Sequence, residues 1–317
     1  MRRCLIAVLR GRCASVTTAA MIARPEILCI GSVLWDVIGR SPAQMAKGAD
    51  VPGRIVKLPG GVALNIAMTL ARFGLRPALL SAVGRDPEGD ELMAECIGLG
   101  LETSFVYRSD DLPTDRYMAV EGANGLIAAI ADAHSLEAAG AKILRPLTDG
   151  TLGSAHQPYQ GAVALDGNLT AQLLEEIARS DDFRAADLRI APASPGKADR
   201  LLPFLRAGRG TLYVNCEEAG ILCKTRFDDA TTAAQALVDR GAARALVTHG
   251  GAESCDATAD LTLTRCPPEV LVTRVTGAGD TFMAAHIAAE RAGADRETAF
   301  ARAQDAAALF VSGDTPS

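Results

Sequence analysis

The sequence predicts an α/β protein built as a three-layer, doubly wound and mainly parallel sheet. Three observations point there. Short apolar runs recur between turn residues, helical patterns alternate with them, and the runs are continuously apolar, as in strands covered on both faces. The runs are ILCIG (27–31), ALLSAV (78–83), AVALD (162–166), LRIA (188–191), TLYVN (211–215) and RALVTH (244–249).

Taken in order, the chain begins with an Arg-rich, acid-free stretch at 1–20. Arg10 and Arg12 interrupt the apolar run that a secretory signal needs, so these residues are expected to be a disordered extension or the product of an upstream start. Folded patterning starts with the first strand. Two segments, 39–58 and 104–131, break the strand–helix rhythm with extended pieces, the second turning back at GANG (122–125). They are expected to form a small β lid over a ligand crevice, leaving 21–38, 59–103 and 132–317 as the core. In NIAMTLARFG (65–74), Ile66, Leu70 and Phe73 share one helical face, and Gly74 stops the helix. DPEGDELMAECIGLG (86–100) opens with Asp86 as cap and Pro87 in the first turn. Further helices are predicted at 169–179, 217–223, 228–240, 280–292 and 295–311, with a hairpin at 253–266.

Composition narrows the function. Of 317 residues 49% are apolar, enough for a substantial core, and the net charge of −6 comes with scattered Lys and Arg. A nucleic-acid partner is therefore not expected, since phosphate-backbone binding needs a cationic face. No run of about eighteen apolar residues predicts a membrane span. The eight cysteines include no Cys-x-x-Cys pair, which favours reduced, buried thiols and a cytoplasmic location over a zinc or disulfide framework. The four histidines are dispersed and are read as surface or packing residues.

The chemistry concentrates in RVTGAGDTFMAAHIA (274–288). Glycines at a helix start let backbone N–H groups approach a ligand, and the helix dipole favours anions there. Gly277, Ala278 and Gly279 are thus expected to seat a phosphate. Asp280 would repel that anion unless it had a task, and accepting a proton from an attacking hydroxyl is one. The competing reading makes Asp280 a simple helix cap.

Five motifs occur in an order similar to that of the ribokinase-like (PfkB) carbohydrate kinase family: LPGGVALNIAMTLARFG (58–74), SAVGRDPEGD (81–90), VNCEEAGIL (214–222), LVTHGG (246–251) and VTGAGDTFMAA (275–285). The resemblance spans Ile27 to Val311. It implies an ATP-dependent, Mg²⁺-using kinase with an α/β/α core and a β lid. By that resemblance Asp280 is the base, and Gly277, Ala278 and Gly279 form the anion hole. Asp36, Gly60, Gly61 and Asn65 would bind the sugar or nucleoside. Asn215 and Glu218 match the Asn-x-x-Glu motif that organises phosphate and Mg²⁺, Thr248 and Gly250 would lie beside the nucleotide, and Gln304 would approach adenine. Each has a plainer alternative: Asp36 as a turn cap, Asn65 as a polar helix residue, Glu218 as a solvated first-turn acid.

Two positions depart from the family pattern. Arg274 stands where many members carry Asp or Asn, which puts a family-like cation arrangement in doubt, and Glu253 replaces a glycine of the nucleotide loop. The passage 115–137 and LDGNLT (165–170) look like those of pseudouridine kinases, which implies phosphorylation of the pseudouridine 5′-hydroxyl. Asn124, Asp132 and the backbone of 117–130 could then meet a uracil-like ring. Ribose, deoxyribose and other nucleosides are the competing acceptors, and a non-catalytic nucleotide or sugar sensor is a reading of another class. A dinucleotide-dependent oxidoreductase lacks its glycine fingerprint in CIGSVLWD (29–36). Exposed lid edges would favour a homodimer.

Overall fold

The computed structural model describes residues 25–316, so the expected extension at 1–20 lies outside the described residues. Fourteen strands are present among them: β1 Ile27–Ile30, β2 Leu34–Arg40, β3 Arg54–Gly60, β4 Ala78–Leu80, β5 Ala82–Gly84, β6 Tyr107–Ser109, β7 Arg116–Gly122, β8 Gly125–Asp132, β9 Ala162–Asp166, β10 Asp187–Ala191, β11 Thr211–Asn215, β12 Arg244–Thr248, β13 Ser254–Ala257 and β14 Thr262–Arg265. Eight of them form one sheet in the order β14-β13-β12-β11-β10-β9-β1-β4. It is parallel from β4 to β12, and the β13–β14 hairpin adds an antiparallel edge.

Both faces of this sheet are covered, which explains the unbroken apolar runs. Along β1, Leu28 and Ile30 enter one core with Leu173, Phe204, Leu222 and Leu237. Ile27 and Cys29 enter the other with Leu64, Leu92, Phe282 and Phe300. Helices Ala171–Arg179, Leu202–Ala207, Cys216–Cys223 and Ala230–Asp239 thus cover one face, while Val62–Arg72, Pro87–Gly98, Ala278–Arg291 and Arg296–Val311 cover the other. The chain leaves β1 first toward β4 and later returns as β9 on its opposite side. That reversal opens a crevice at the carboxyl ends of β1 and β9, where open α/β sheets bind ligands.

A second, four-stranded sheet has the order β3-β2-β7-β8. Its boundaries differ from the expected lid segments. β2 begins at Leu34, because Gly31 (φ 151°) lets the chain swing out directly after β1. Residues 107–109 belong instead to a two-stranded sheet with β5. The apolar run 78–83 is consequently split at Ser81: β4 stays in the main sheet and β5 turns toward β6. The first long helix starts at Val62, three residues before the apolar periodicity becomes visible. Asp86 caps its helix by accepting from the Gly89 amide at 2.7 Å, with Pro87 behind it, as predicted.

Candidate active site

The crevice is organised around a carboxylate that sequence reasoning did not single out. Asp166, at the end of β9, is fully buried. It accepts from the amides of Ser32 (2.8 Å), Asn168 (2.8 Å) and Ala63 (3.4 Å), and from the Ser32 hydroxyl. The Ser32 oxygen in turn accepts from the Val62 amide at 2.9 Å and from Asn168 Nδ2 at 3.1 Å. Three chain segments are thereby fixed to one another at the switch point. A Cβ on Gly31 would lie 2.2 Å from the Asp166 Cβ, so only glycine permits this approach. LDGNLT was the available signal, although it gave no hint that its aspartate bridges to the first strand.

The two glycines before the helix serve the same closeness. A Cβ on Gly61 (φ 100°) would meet the Ser32 carbonyl at 2.5 Å, and one on Gly60 would collide with the Asp36 carboxylate at 2.0 Å. Asp36 is the third residue of β2 and so is no turn cap. Burial pushes its carboxyl up to about 6.

Asn65 reaches from helix Val62–Arg72 to Asp280, donating from Nδ2 to Oδ2 at 2.9 Å across 215 residues of sequence. The helix Ala278–Arg291 is capped by Gly277 in a left-handed conformation (φ 92°), with no side-chain cap bond. Asp280 therefore does not cap it. Its carboxyl is pushed up to about 7, chiefly by burial and further by the charges of Asp166, Glu218 and Asp36, while the Asn65 bond opposes the rise. The amides around it separate into two kinds. Ala278 N–H donates to the Val275 carbonyl at 3.0 Å, so this member of the expected anion hole is already engaged. Among the described residues, the amides of Gly277, Gly279 and Asp280 have no hydrogen-bond acceptor and are available to an anion.

Asn215, Thr248 and Gly250 line one groove of ≈ 640 Å³ with Cys216, Ile221 and Phe227. Asn215 accepts from the Glu218 amide at 2.9 Å and Glu218 from the Asn215 amide at 2.9 Å, a reciprocal capping box. Glu218 is not the solvated acid of the plainer reading. It is buried, and burial pushes it up to about 7. Gln304 departs from expectation: it is buried beneath β14, donates to the Arg265 carbonyl at 2.7 Å and does not line the groove. Its spacing on the last helix was right for contact, but its face turns into the protein.

The proposed ring contacts also change. Asn124 holds Met45 through both amide atoms, at 3.0 Å each, and is thus a staple of the small sheet. Asp132 pairs in register with Arg116, which pairs with Trp35, whereas Asp36 pairs with Tyr117, so Asp132 lies on the face turned away from Asp36. Tyr117 takes its place as the polar group beside Asp36. Burial raises its hydroxyl's pKa, and the Asp36 charge adds to the rise.

Comparison with known proteins bears on the family and the fold. The chain is 31% identical over 219 residues to the uncharacterized sugar kinase YeiI of Escherichia coli, covering 67% of this chain and 57% of that protein. It is 42% identical to the Escherichia coli pseudouridine kinase over 69 residues, 22% of each chain. The curated relatives are thus matched over little more than half their length at most. Among solved structures, the ribokinase of Thermotoga maritima superposes with a TM-score of 0.73 at 22% identity, over 90% of this chain and 92% of that one. The Arabidopsis thaliana ribokinase complexed with ribose and ATP superposes with a TM-score of 0.72 at 20% identity, over 90% and 92%. Residues 24–315 match the pfkB family carbohydrate kinases, and the chain belongs to that family.

Proposed function

We propose that the protein transfers the γ-phosphoryl group of ATP to a hydroxyl of a sugar or nucleoside, with the pseudouridine 5′-hydroxyl as acceptor. One observation carries the reading: Asn65 holds the Asp280 carboxylate beside three unengaged amides at a helix N-terminus, within electrostatic range of Asp36. Asp36 and Tyr117 on the small sheet would orient the acceptor. Asp280 would take the proton from its hydroxyl, and the amides of Gly277, Gly279 and Asp280 would stabilise charge on the transferred group. Because bond-making lags in a loose phosphoryl-transfer transition state, positioning and charge stabilisation dominate, and a carboxylate of modest basicity suffices.

The groove at Asn215, Thr248 and Gly250 is the proposed nucleotide seat. Among the described residues no group of three or more His, Cys, Asp or Glu could hold a metal. Glu218 would help to hold Mg²⁺, which when bound would supply charge neutralisation at the phosphates. The short match to pseudouridine kinase and the resemblance of 115–137 support the acceptor over ribose and deoxyribose. Ile55, Met118 and Ile130 are exposed on the face of the small sheet turned away from Asp36, and there a second copy would pack to give a homodimer. Buried free thiols at Cys29, Cys96, Cys216, Cys223 and Cys255 support a reducing, cytoplasmic setting.

The test is ADP release from ATP and Mg²⁺ against a panel of pseudouridine, uridine, ribose, deoxyribose and adenosine, with the product phosphate located by ³¹P NMR. Turnover confined to pseudouridine, yielding a 5′-phosphate, is expected. Nucleotide or sugar binding without turnover on any acceptor would instead identify a sensor.

A further inference from the structure

Arg274 stands three residues before Gly277 and is tied to the end of the last helix and the chain that follows it. Its Nε donates to the Phe310 carbonyl at 2.7 Å and its Nη2 to the Asp314 carbonyl at 2.8 Å. Its own amide and that of Thr273 donate to the Val311 carbonyl, at 3.3 and 2.8 Å. These acceptors cluster at the end of helix Arg296–Val311, where unsatisfied carbonyls and the negative end of the dipole attract a cation. The guanidinium carbon also lies 3.7 Å from the centroid of the Phe310 ring. That ring lies beside Gly277, since a Cβ built there would stand 3.0 Å from Phe310 Cζ. Phe310 thus stands between Arg274 and Gly277, and Gly277 supplies one of the free amides.

We infer that Arg274 is a positioning residue: a tethered cation that binds the C-terminal carbonyls and, through Phe310, holds the Gly277–Asp280 amides in place. The inference rests on the kinase reading for its catalytic consequence but not for its structural one. A guanidinium suits the task because its planar fork can serve two carbonyls while its face stacks on a ring. A lysine ammonium offers the charge without the fork or the flat face.

The experiment compares wild type, Arg274→Lys and Arg274→Ala in steady-state kinetics and in amide hydrogen exchange of Ala278 and Thr281, whose N–H groups bond the Val275 and Gly277 carbonyls at 3.0 Å each and so report on the loop. The side chain is exposed, and thermal melts confirm that each variant folds. For Arg274→Ala we expect kcat to fall roughly 10²-fold, the loss that a displacement of about 1 Å typically brings, with acceptor KM little changed. Exchange of these two amides should quicken, Arg274→Lys should fall between, and added guanidinium or potassium ions should restore part of kcat. Unchanged exchange in Arg274→Ala would overturn the inference, whatever the activity. Faster exchange with no rescue by either ion would overturn the cation role. If wild type turned over no acceptor while exchange still quickened in the variant, the positioning would stand and the kinase reading would fall.

Discussion

Asp280 illustrates how one side chain's protonation can follow from its neighbours. An ordinary carboxyl would be ionised throughout the physiological range, whereas this one is pushed up to about 7 by burial and by nearby acids. The acidic limb of kcat/KM should therefore have its midpoint near pH 7, as a property of the coupled carboxylates rather than of one residue. Removing the Asn65 amide removes the one bond that favours ionisation. Asn65→Leu should accordingly move the limb to higher pH, which a pH–rate profile of the variant would show; a shift to lower pH would contradict the assignment. The same burial affects stability. The folded state binds a proton at Asp280 and Glu218 more tightly than the unfolded chain, so their ionisation opposes folding as pH rises from the ordinary carboxylate range toward 7. Asp280→Asn should then melt higher relative to wild type at pH 8 than at pH 5. That Asp280 and its glycines meet at a helix start was legible from residue type and spacing, which left the cap reading open until the resemblance was added. The occupied Ala278 amide was not, because a hydrogen bond inside the loop depends on φ and ψ that sequence does not reveal.

At the scale of elements, the site depends on how helix Val62–Arg72 is attached. Its start is held by the Val62 and Ala63 amides bonding to Ser32 and Asp166, and its apolar face by Leu64, Ile66 and Leu70, each fully buried. Asp166→Ala would strand the Ser32 hydroxyl and two or more amides. Each buried donor left unsatisfied costs ~1–3 kcal/mol. Denaturant melts should show a loss of that order, and the acceptor KM should rise because Gly60, Gly61 and Asn65 lose their anchor. A variant as stable as wild type would show that the segment is held by packing alone. The helix itself was readable from Ile66, Leu70 and Gly74. The split of 78–83 into β4 and β5 was not, since an apolar run looks the same whether it ends in one sheet or passes to another. The faces of the small sheet were hidden for a similar reason: only register decides that Tyr117, and not Asp132, shares a side with Asp36.

Across the whole molecule, the strands and the helix layer are joined by a buried ionic network. Asp256 is fully buried and accepts two bonds from Arg244 (2.8 and 2.6 Å) and two from Arg296 (2.9 and 2.7 Å). Glu290 links Arg244 to Arg189, and His286 lies between the Tyr213 hydroxyl (2.8 Å) and Arg244 (3.1 Å). In sequence these residues look like scattered surface charges, because only the sheet order brings them together. The parallel sheet, by contrast, was plain from its unbroken apolar strands. Asp256→Ala leaves two arginines facing a buried site, and a loss of about 3–5 kcal/mol is expected in chemical denaturation. Burial lowers the His286 pKa to about 4, and the paired arginines hold Asp256 below the usual carboxylate range. At His286 the unfolded chain therefore binds the extra proton, and this one contribution to stability should fall as pH drops below about 6.5, the ordinary histidine value, opposite in sign to the contributions of Asp280 and Glu218. His286→Phe should reduce that fall in melts taken between pH 7 and 5.

All of these scales converge on the carboxylate at the helix start, and one measurement addresses it directly: acceptor-dependent ADP release by wild type and Asp280→Asn at pH 8, with ATP binding measured in parallel. A turnover loss of about 10²–10⁴-fold with ATP affinity little changed is predicted for a general base. Equal turnover in the two proteins would contradict the account.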